Sequence, residues 1–357
     1  MGFLNIVRPQ PAGSQNFRFE LVPPPPSLFR MTQPLPTVTV LIAARPQQVE
    51  VLAVNAARRL DYPADRLEII VARGKQPSVQ RNTALRAAKG DLIYFLDDDS
   101  EPPKDALRRA VTTFADPRVQ MLGGPNLCPA SAPALEQVFA VVHASWLAFG
   151  PSRARYAAVG QIRPTSEKEL ILCNLIARRA EMLALGGFDE ALYPNEENAL
   201  MDELQKRDGK LIYDPALYVH RRPRHSLGAF CKMLRNYGRG RAEQFRLHST
   251  WGSAPNFVPP MFCVYLLVFP VVGLLGLQHW YLLLAPLSAY FLALLVQTAF
   301  LIPGYGLVNS VAALPLMALT HILYGIGFWN GLFFTSLKPA GARPKVEVVL
   351  ERINALA

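Results

Sequence analysis

The chain has 357 residues, a formal net charge of +10 and four cysteines, Cys128, Cys173, Cys231 and Cys263, none in C-x-x-C spacing. That length exceeds a single small domain, and the isolated cysteines exclude a disulfide-stapled scaffold and fit reduced, buried thiols. The positive charge does not indicate nucleic acid binding. Eleven Lys or Arg against three acids fall between Gln205 and Arg246, immediately before 91 uncharged residues, Leu247 to Leu337.

Residues 1–36, with Pro23–Pro26 in series, read as an extended arm of polyproline character. Its apolar patches are too short and too interrupted for a signal peptide. Thr37–Ala44 reads as a buried strand, Val49–Leu60 as a helix and Leu67–Ala72 as a second strand. Ser78–Ala88 follows as a helix capped by Ser78, then Leu92–Leu96 as a third strand and Asp105–Phe114 as a helix. Three alternations of apolar strand and helix predict an α/β fold with a mostly parallel sheet, whose ligands sit beyond the carboxyl ends of the strands. Val119–Met121 follows, then a helix over Ala134–Phe149 and a polar loop over Gly150–Glu167. Leu170–Cys173 reads as a strand, Ala180–Leu185 and Glu196–Arg207 as helices, and Lys210–Tyr213 as a last strand.

The third strand stops on Asp97, Asp98 and Asp99. Three adjacent carboxylates cannot be buried unpaired, since desolvating each costs several kcal/mol. They must face water, a cation or a charged ligand. Alternation along the chain lets Asp97 and Asp99 share one side while Asp98 points away.

The order of motifs resembles the family 2 glycosyltransferases, inverting nucleotide-sugar enzymes of GT-A fold, over residues 37–245. The landmarks are Asp97-x-Asp99, Gly186–Gly–Phe–Asp–Glu190, the acidic pair Glu196–Glu197 opening a helix, and Asp214–Pro215 followed by His220. The resemblance implies Mg2+ or Mn2+ held by Asp97, Asp99 and His220, stabilising the diphosphate that leaves. It implies a general base in the pair Glu196–Glu197, with Glu197 standing where the family usually carries Asp. It also implies a donor site that takes in Ala44, Arg73, Arg81, Asn82, Asp97, Gly187, Asp189 and Arg222. One departure matters: Ala72–Arg–Gly–Lys75 stands where the family commonly has an acid that reads the base. Uridine is therefore only the default nucleoside.

The uncharged stretch has room for three transmembrane helices, Phe257–Leu277, Trp280–Leu301 and Leu307–Phe333. The basic run before it predicts a cytoplasmic catalytic domain at the inner or plasma membrane. The domain plan is thus the arm to residue 36, a GT-A domain over 37–225, a basic interface helix over 226–256, spans over 257–336 and a tail over 337–357. Three spans would put that tail outside, yet Lys338, Arg343, Lys345 and Arg352 favour the cytoplasm, so one span, such as the first with Pro259–Pro260, could lie in the interface or re-enter. The sequence reading is a membrane-anchored transferase that moves sugar from a nucleotide donor to a polyprenyl-diphosphate-linked acceptor, beside other glycan-assembly enzymes. Its alternatives are a polyprenyl-phosphate sugar synthase and a degenerate scaffold. A processive synthase would carry Q-x-x-R-W, and Arg221–His225 lacks its tryptophan.

Overall fold

The computed structural model describes residues 34–190, 196–247, 251–276, 278–336 and 346–354. The arm up to Gln33 and the tail cations Lys338, Arg343 and Lys345 lie outside the described residues. Strand β1 (Val38–Ala44), helix α1 (Leu52–Arg58), β2 (Leu67–Arg73), α2 (Pro77–Ala87), β3 (Leu92–Asp97) and α3 (Ala106–Thr113) form the three expected alternations. Then come β4 (Val119–Gly123), β5 (Asn126–Leu127), α4 (Ala134–Ala144), α5 (Trp146–Phe149), β6 (Arg163–Pro164), β7 (Asn174–Arg178), α6 (Arg179–Ala184), α7 (Glu196–Lys206), β8 (Lys210–Tyr213) and β9 (Val219–His220). The rest comprises α8 (Leu227–Leu247), α9 (Val258–Leu274), α10 (Leu284–Tyr305), α11 (Leu307–Phe333) and β10 (Val349–Ile353).

One eight-stranded sheet has the order β10-β2-β1-β3-β7-β4-β8-β6. It is parallel where the alternations lie, β2-β1-β3, and antiparallel on both sides of β7. Val38, Val40, Ile42, Ile69, Ile70, Ile93 and Phe95 are almost wholly buried. Each such apolar side chain stabilises the fold by about 1.5–3 kcal/mol, and together they fix the carboxyl ends of β1, β2 and β3 along one edge. Gln80 locks that edge. Its buried amide donates to Ala44 O at 2.8 Å and Ala72 O at 2.6 Å, tying α2 to both strand ends.

Three local expectations are corrected. Helix α2 is capped by Gln76, whose side chain accepts from the Val79 amide, whereas Ser78 lies buried inside the helix. The expected Ala134–Phe149 helix breaks at Ser145, which turns extended and caps α5 through the Ala148 amide. Leu170–Cys173 is a turn with buried leucines, and the strand is instead Asn174–Arg178. Its polar ends concealed it. Asn174 is fully buried because its amide bonds Tyr94 Oη and Leu217 O.

Three helical segments, Ala254–Leu274, Trp280–Tyr305 and Leu307–Phe333, are long and apolar enough to cross a membrane. Val138, Phe139 and Val142 of α4 and Phe230 and Leu234 of α8 form a second core with Leu294 and Leu301 of α10 and Ala313 and Met317 of α11. Strand β10 was not foreseen: the tail returns to the catalytic sheet and pairs antiparallel with β2.

Candidate active site

Asp97 closes β3, and the chain turns at once: the Ser100 hydroxyl accepts from the Asp97 amide at 3.3 Å and donates to Cys173 O at 3.2 Å. This turn aims Asp97 and Asp99 to one side, as the alternation implied. The Arg221 guanidinium reaches both carboxylates, Asp99 at 2.5 Å and Asp97 at 3.3 Å. Arg81, on the face of α2 that looks along the strand ends, joins the other Asp97 oxygen at 3.0 Å and Glu196 at 3.2 Å. Burial pushes the Asp97 carboxyl up, but Arg221 and Arg81 outweigh it and hold it below the usual carboxylate range. Burial likewise works against the Arg221 charge, and Asp97 and Asp99 keep it firmly protonated.

The two glutamates at the start of α7 part company. Glu196 is buried and held by Arg81, while its neighbour Glu197 is half-buried. Behind them Arg155 donates to Asn198 Oδ1 at 2.7 Å and to Lys168 O at 3.0 Å, which fixes the first turn of α7. Arg241 of α8 comes within electrostatic range of Arg155 and Glu197, and burial lowers its pKa.

Asn82 does not line this cluster. Its side chain accepts from the Phe188 amide at 2.8 Å and donates to Phe188 O at 2.8 Å and Glu190 Oε1 at 2.9 Å, clamping the Gly186–Glu190 turn. Gly187 holds φ at +83°, and a Cβ there would stand 2.4 Å from Asn82 Oδ1, so glycine is required at this position. Asp189 sits half-buried in the same turn. Ala44 lies buried at the end of β1, and Arg73 ends β2. Arg73 Nε donates to Glu351 of β10 at 2.6 Å, and its Nη1 donates to Gln48 O at 2.6 Å.

Two expected residues point elsewhere. Arg222 forms a bidentate pair with the buried Glu136 of α4, at 2.7 and 2.5 Å, which ties the β9 exit to the helical layer. His220 lies in β9, backbone-bonded to Glu101, its ring beside Tyr218 and its Nδ1 buried without a partner. Among the described residues no three His, Cys, Asp or Glu side chains converge as a metal site. Asp214 also has a structural task, holding Arg109 at 2.5 and 3.1 Å. Sequence reasoning missed Arg221 as the group shared by Asp97 and Asp99. Its place directly after the His220 landmark was the available signal. Glu351, nearly 280 residues from Arg73, gave none.

The sheet order, the acids at the end of β3 and the acidic opening of α7 define a GT-A glycosyltransferase. The Glycosyl transferase family 2 model matches residues 38–129 and the Glycosyl transferase family group 2 model residues 92–329, so the chain belongs to the family 2 glycosyltransferases. It is 25% identical over 265 residues to the succinoglycan biosynthesis protein ExoA of Rhizobium meliloti, covering 71% of this chain and 74% of that one. It is 27% identical over 148 residues to the pre-mycofactocin glycosyltransferase of Mycobacterium tuberculosis, covering 41% of this chain but only 30% of that protein's length. The mannosyltransferase PcManGT of Pyrobaculum calidifontis, solved with GDP-Man and Mn2+, shares the fold with a TM-score of 0.50 at 16% identity, over 84% of this chain and 88% of that one.

Proposed function

We propose that this glycosyltransferase moves a sugar, with inversion, from a nucleotide donor to a polyprenyl-diphosphate-linked acceptor during assembly of a cell-surface glycan. The observation that carries the reading is the cation shared by Asp97 and Asp99 at the carboxyl end of β3. Two carboxylates already bridged by one guanidinium fit a divalent ion such as Mg2+ or Mn2+. Asp97 and Asp99 would hold it. The ion would supply charge compensation to the departing diphosphate.

The chain's own residues do the rest. Arg81 and Arg221 add two cations beside the leaving diphosphate, while Asn82 and Gly187 hold the Gly186–Glu190 turn against the donor sugar. Glu197 takes the proton from the acceptor hydroxyl as it attacks the anomeric carbon. Glu196, buried on Arg81, is a positioning residue. The basic residues of α8, directly before the apolar region, support a cytoplasmic catalytic domain close to the acceptor's diphosphate and anionic headgroups. ExoA, a succinoglycan biosynthesis protein, supports the exopolysaccharide setting. The nucleoside is left to the Arg73 end of the pocket, with uridine the default.

A panel of nucleotide sugars offered with Mn2+ and a polyprenyl-diphosphate-linked sugar tests this. The proposal expects transfer by the wild type and loss of transfer with retained nucleotide binding in Glu197→Gln. Full transfer by Glu197→Gln would point instead to an acceptor that is already ionised, the lipid phosphate of a polyprenyl-phosphate sugar synthase.

A further inference from the structure

We infer that the apolar region crosses the lipid bilayer twice rather than three times, with α9 and α10 as a transmembrane hairpin and α11 lying along the membrane surface as a floor of the catalytic domain. The first observation is parity. The region is entered from α8, directly after the catalytic strands, and is left into β10, which pairs with β2 from Val349 against Arg73 to Ile353 against Ile69. Both ends therefore belong to one sheet in one compartment, and an odd number of crossings is excluded.

The second observation identifies the helix that does not cross. Helix α11 touches the catalytic domain along nearly its whole length. Near its start, Ala313 and Met317 share a core with α4 and α8. At its middle, the His321 ring nitrogen lies 2.9 Å from Leu147 O. Towards its end it runs parallel to α8 at backbone distance: a Cβ on Gly327 would meet Arg235 O at 2.1 Å and one on Gly331 would meet Arg239 O at 2.4 Å. At its close Arg246 donates to Gly331 O at 3.0 Å and Thr335 O at 2.6 Å. A 27-residue helix is about 40 Å long, more than the roughly 30 Å hydrocarbon core. A crossing helix would leave the domain after one end, and charged partners such as Arg235, Arg239 and Arg246 could not follow it into hydrocarbon. The opposite face of α11 carries exposed Val308, Val311, Ile326 and Phe333, suited to lie on acyl chains.

Helices α9 and α10 behave differently. Their domain-side parts pack on α11, where Trp329 donates to Pro260 O at 3.0 Å, and beyond it they meet side chain to side chain in antiparallel order, with Phe262 against Tyr290 at 4.6 Å and Phe269 against Trp280 at 6.3 Å between ring centroids, and with the Tyr265 hydroxyl donating to Leu283 O. Leu267, Val271, Leu274 and Leu282 are exposed on the outer part of the pair. Gln297 accepts from the Leu147 amide at 3.1 Å, and nearer the tip the Tyr290 hydroxyl lies 2.7 Å from the His321 ring nitrogen of α11. From Gln297 to the tip at Gln278 the chain rises about 28 Å, one hydrocarbon thickness. The tip itself, Gln278–His–Trp–Tyr281, has the polar and aromatic character of a membrane–water interface.

The test is compartment-specific labelling of the full chain in sealed vesicles of known orientation with a membrane-impermeant maleimide, read above the wild-type background. Single substitutions Lys75→Cys, Asn354→Cys and Gln278→Cys occupy exposed positions. Lys75→Cys and Asn354→Cys are expected to react from one side and Gln278→Cys only from the other. Asn354→Cys reacting from the Gln278 side would restore three crossings, and Gln278→Cys reacting from the Lys75 side would remove the hairpin crossing. Either result overturns the inference. Protease digestion of a carboxy-terminal epitope tag in the same vesicles gives the tail's side without any cysteine variant. Neither readout involves sugar transfer, so the outcome is independent of the proposed reaction.

Discussion

Arg81→Met removes the guanidinium that joins Asp97 at 3.0 Å to Glu196 at 3.2 Å. The Glu196 side chain is only 3% exposed, so it loses the Arg81 cation in a place that water barely reaches. Removing one partner of a buried ion pair costs about 3–5 kcal/mol. Asp97 retains Arg221, which favours the lower figure, about 3 kcal/mol. At about 2–4 °C per kcal/mol for a domain of this size, the unfolding midpoint should fall by about 6–12 °C. Near-UV circular dichroism of the detergent-solubilised protein, heated at a fixed rate at pH 7, measures it. The double variant Arg81→Met with Glu196→Gln removes both charges and should recover at least half of the loss. A single-variant shift within about 2 °C, or a double variant that loses the sum of the two singles, would refute this account of the buried pair.

Asp97 has a folded-state pKa below its unfolded value, so its charge contributes stability above about pH 4 that is lost as pH falls through the folded value. Melting between pH 6 and pH 3 should therefore be less steep in Asp97→Asn than in the wild type; equal slopes would contradict the assignment. Gly187→Ala forces a side chain into a left-handed conformation against Asn82 and should cost about 1–3 kcal/mol, while Gly186→Ala, with open space around its Cβ, should suffer only the conformational strain; the order of their melting midpoints decides. Glu351→Ala frees Arg73 from β10, and a change in the ratio of uridine to guanosine diphosphate affinities is expected if Arg73 borders the base; an unchanged ratio places the base elsewhere.

The parallel half of the sheet was legible because its strands are apolar on both faces and its helices follow at short, regular spacing. Asp97 and Asp99 were legible for a complementary reason: no other placement of three acids after a buried strand is tolerable. Strand β7 was not, because buried Asn174 and the polar Arg178 find partners only in the tertiary structure. Motif likeness did not give the side-chain partners. Arg222 is absorbed by Glu136, and Asn82 serves a turn, because a landmark in the sequence does not state which neighbour the side chain will meet. The tail was least legible. Five residues of β10 have no strand partner nearby in sequence, so only the folded sheet shows that Glu351 reaches Arg73 and that the chain returns to the catalytic side.

The central claim, a cation-assisted donor site at Asp97 and Asp99, is tested most directly by calorimetric titration of a nucleoside diphosphate into the purified chain with and without Mn2+. The account predicts binding that strengthens at least tenfold with Mn2+ in the wild type and loses that dependence in Asp99→Asn. Equal binding with and without Mn2+, or an undiminished Mn2+ effect in Asp99→Asn, would contradict it.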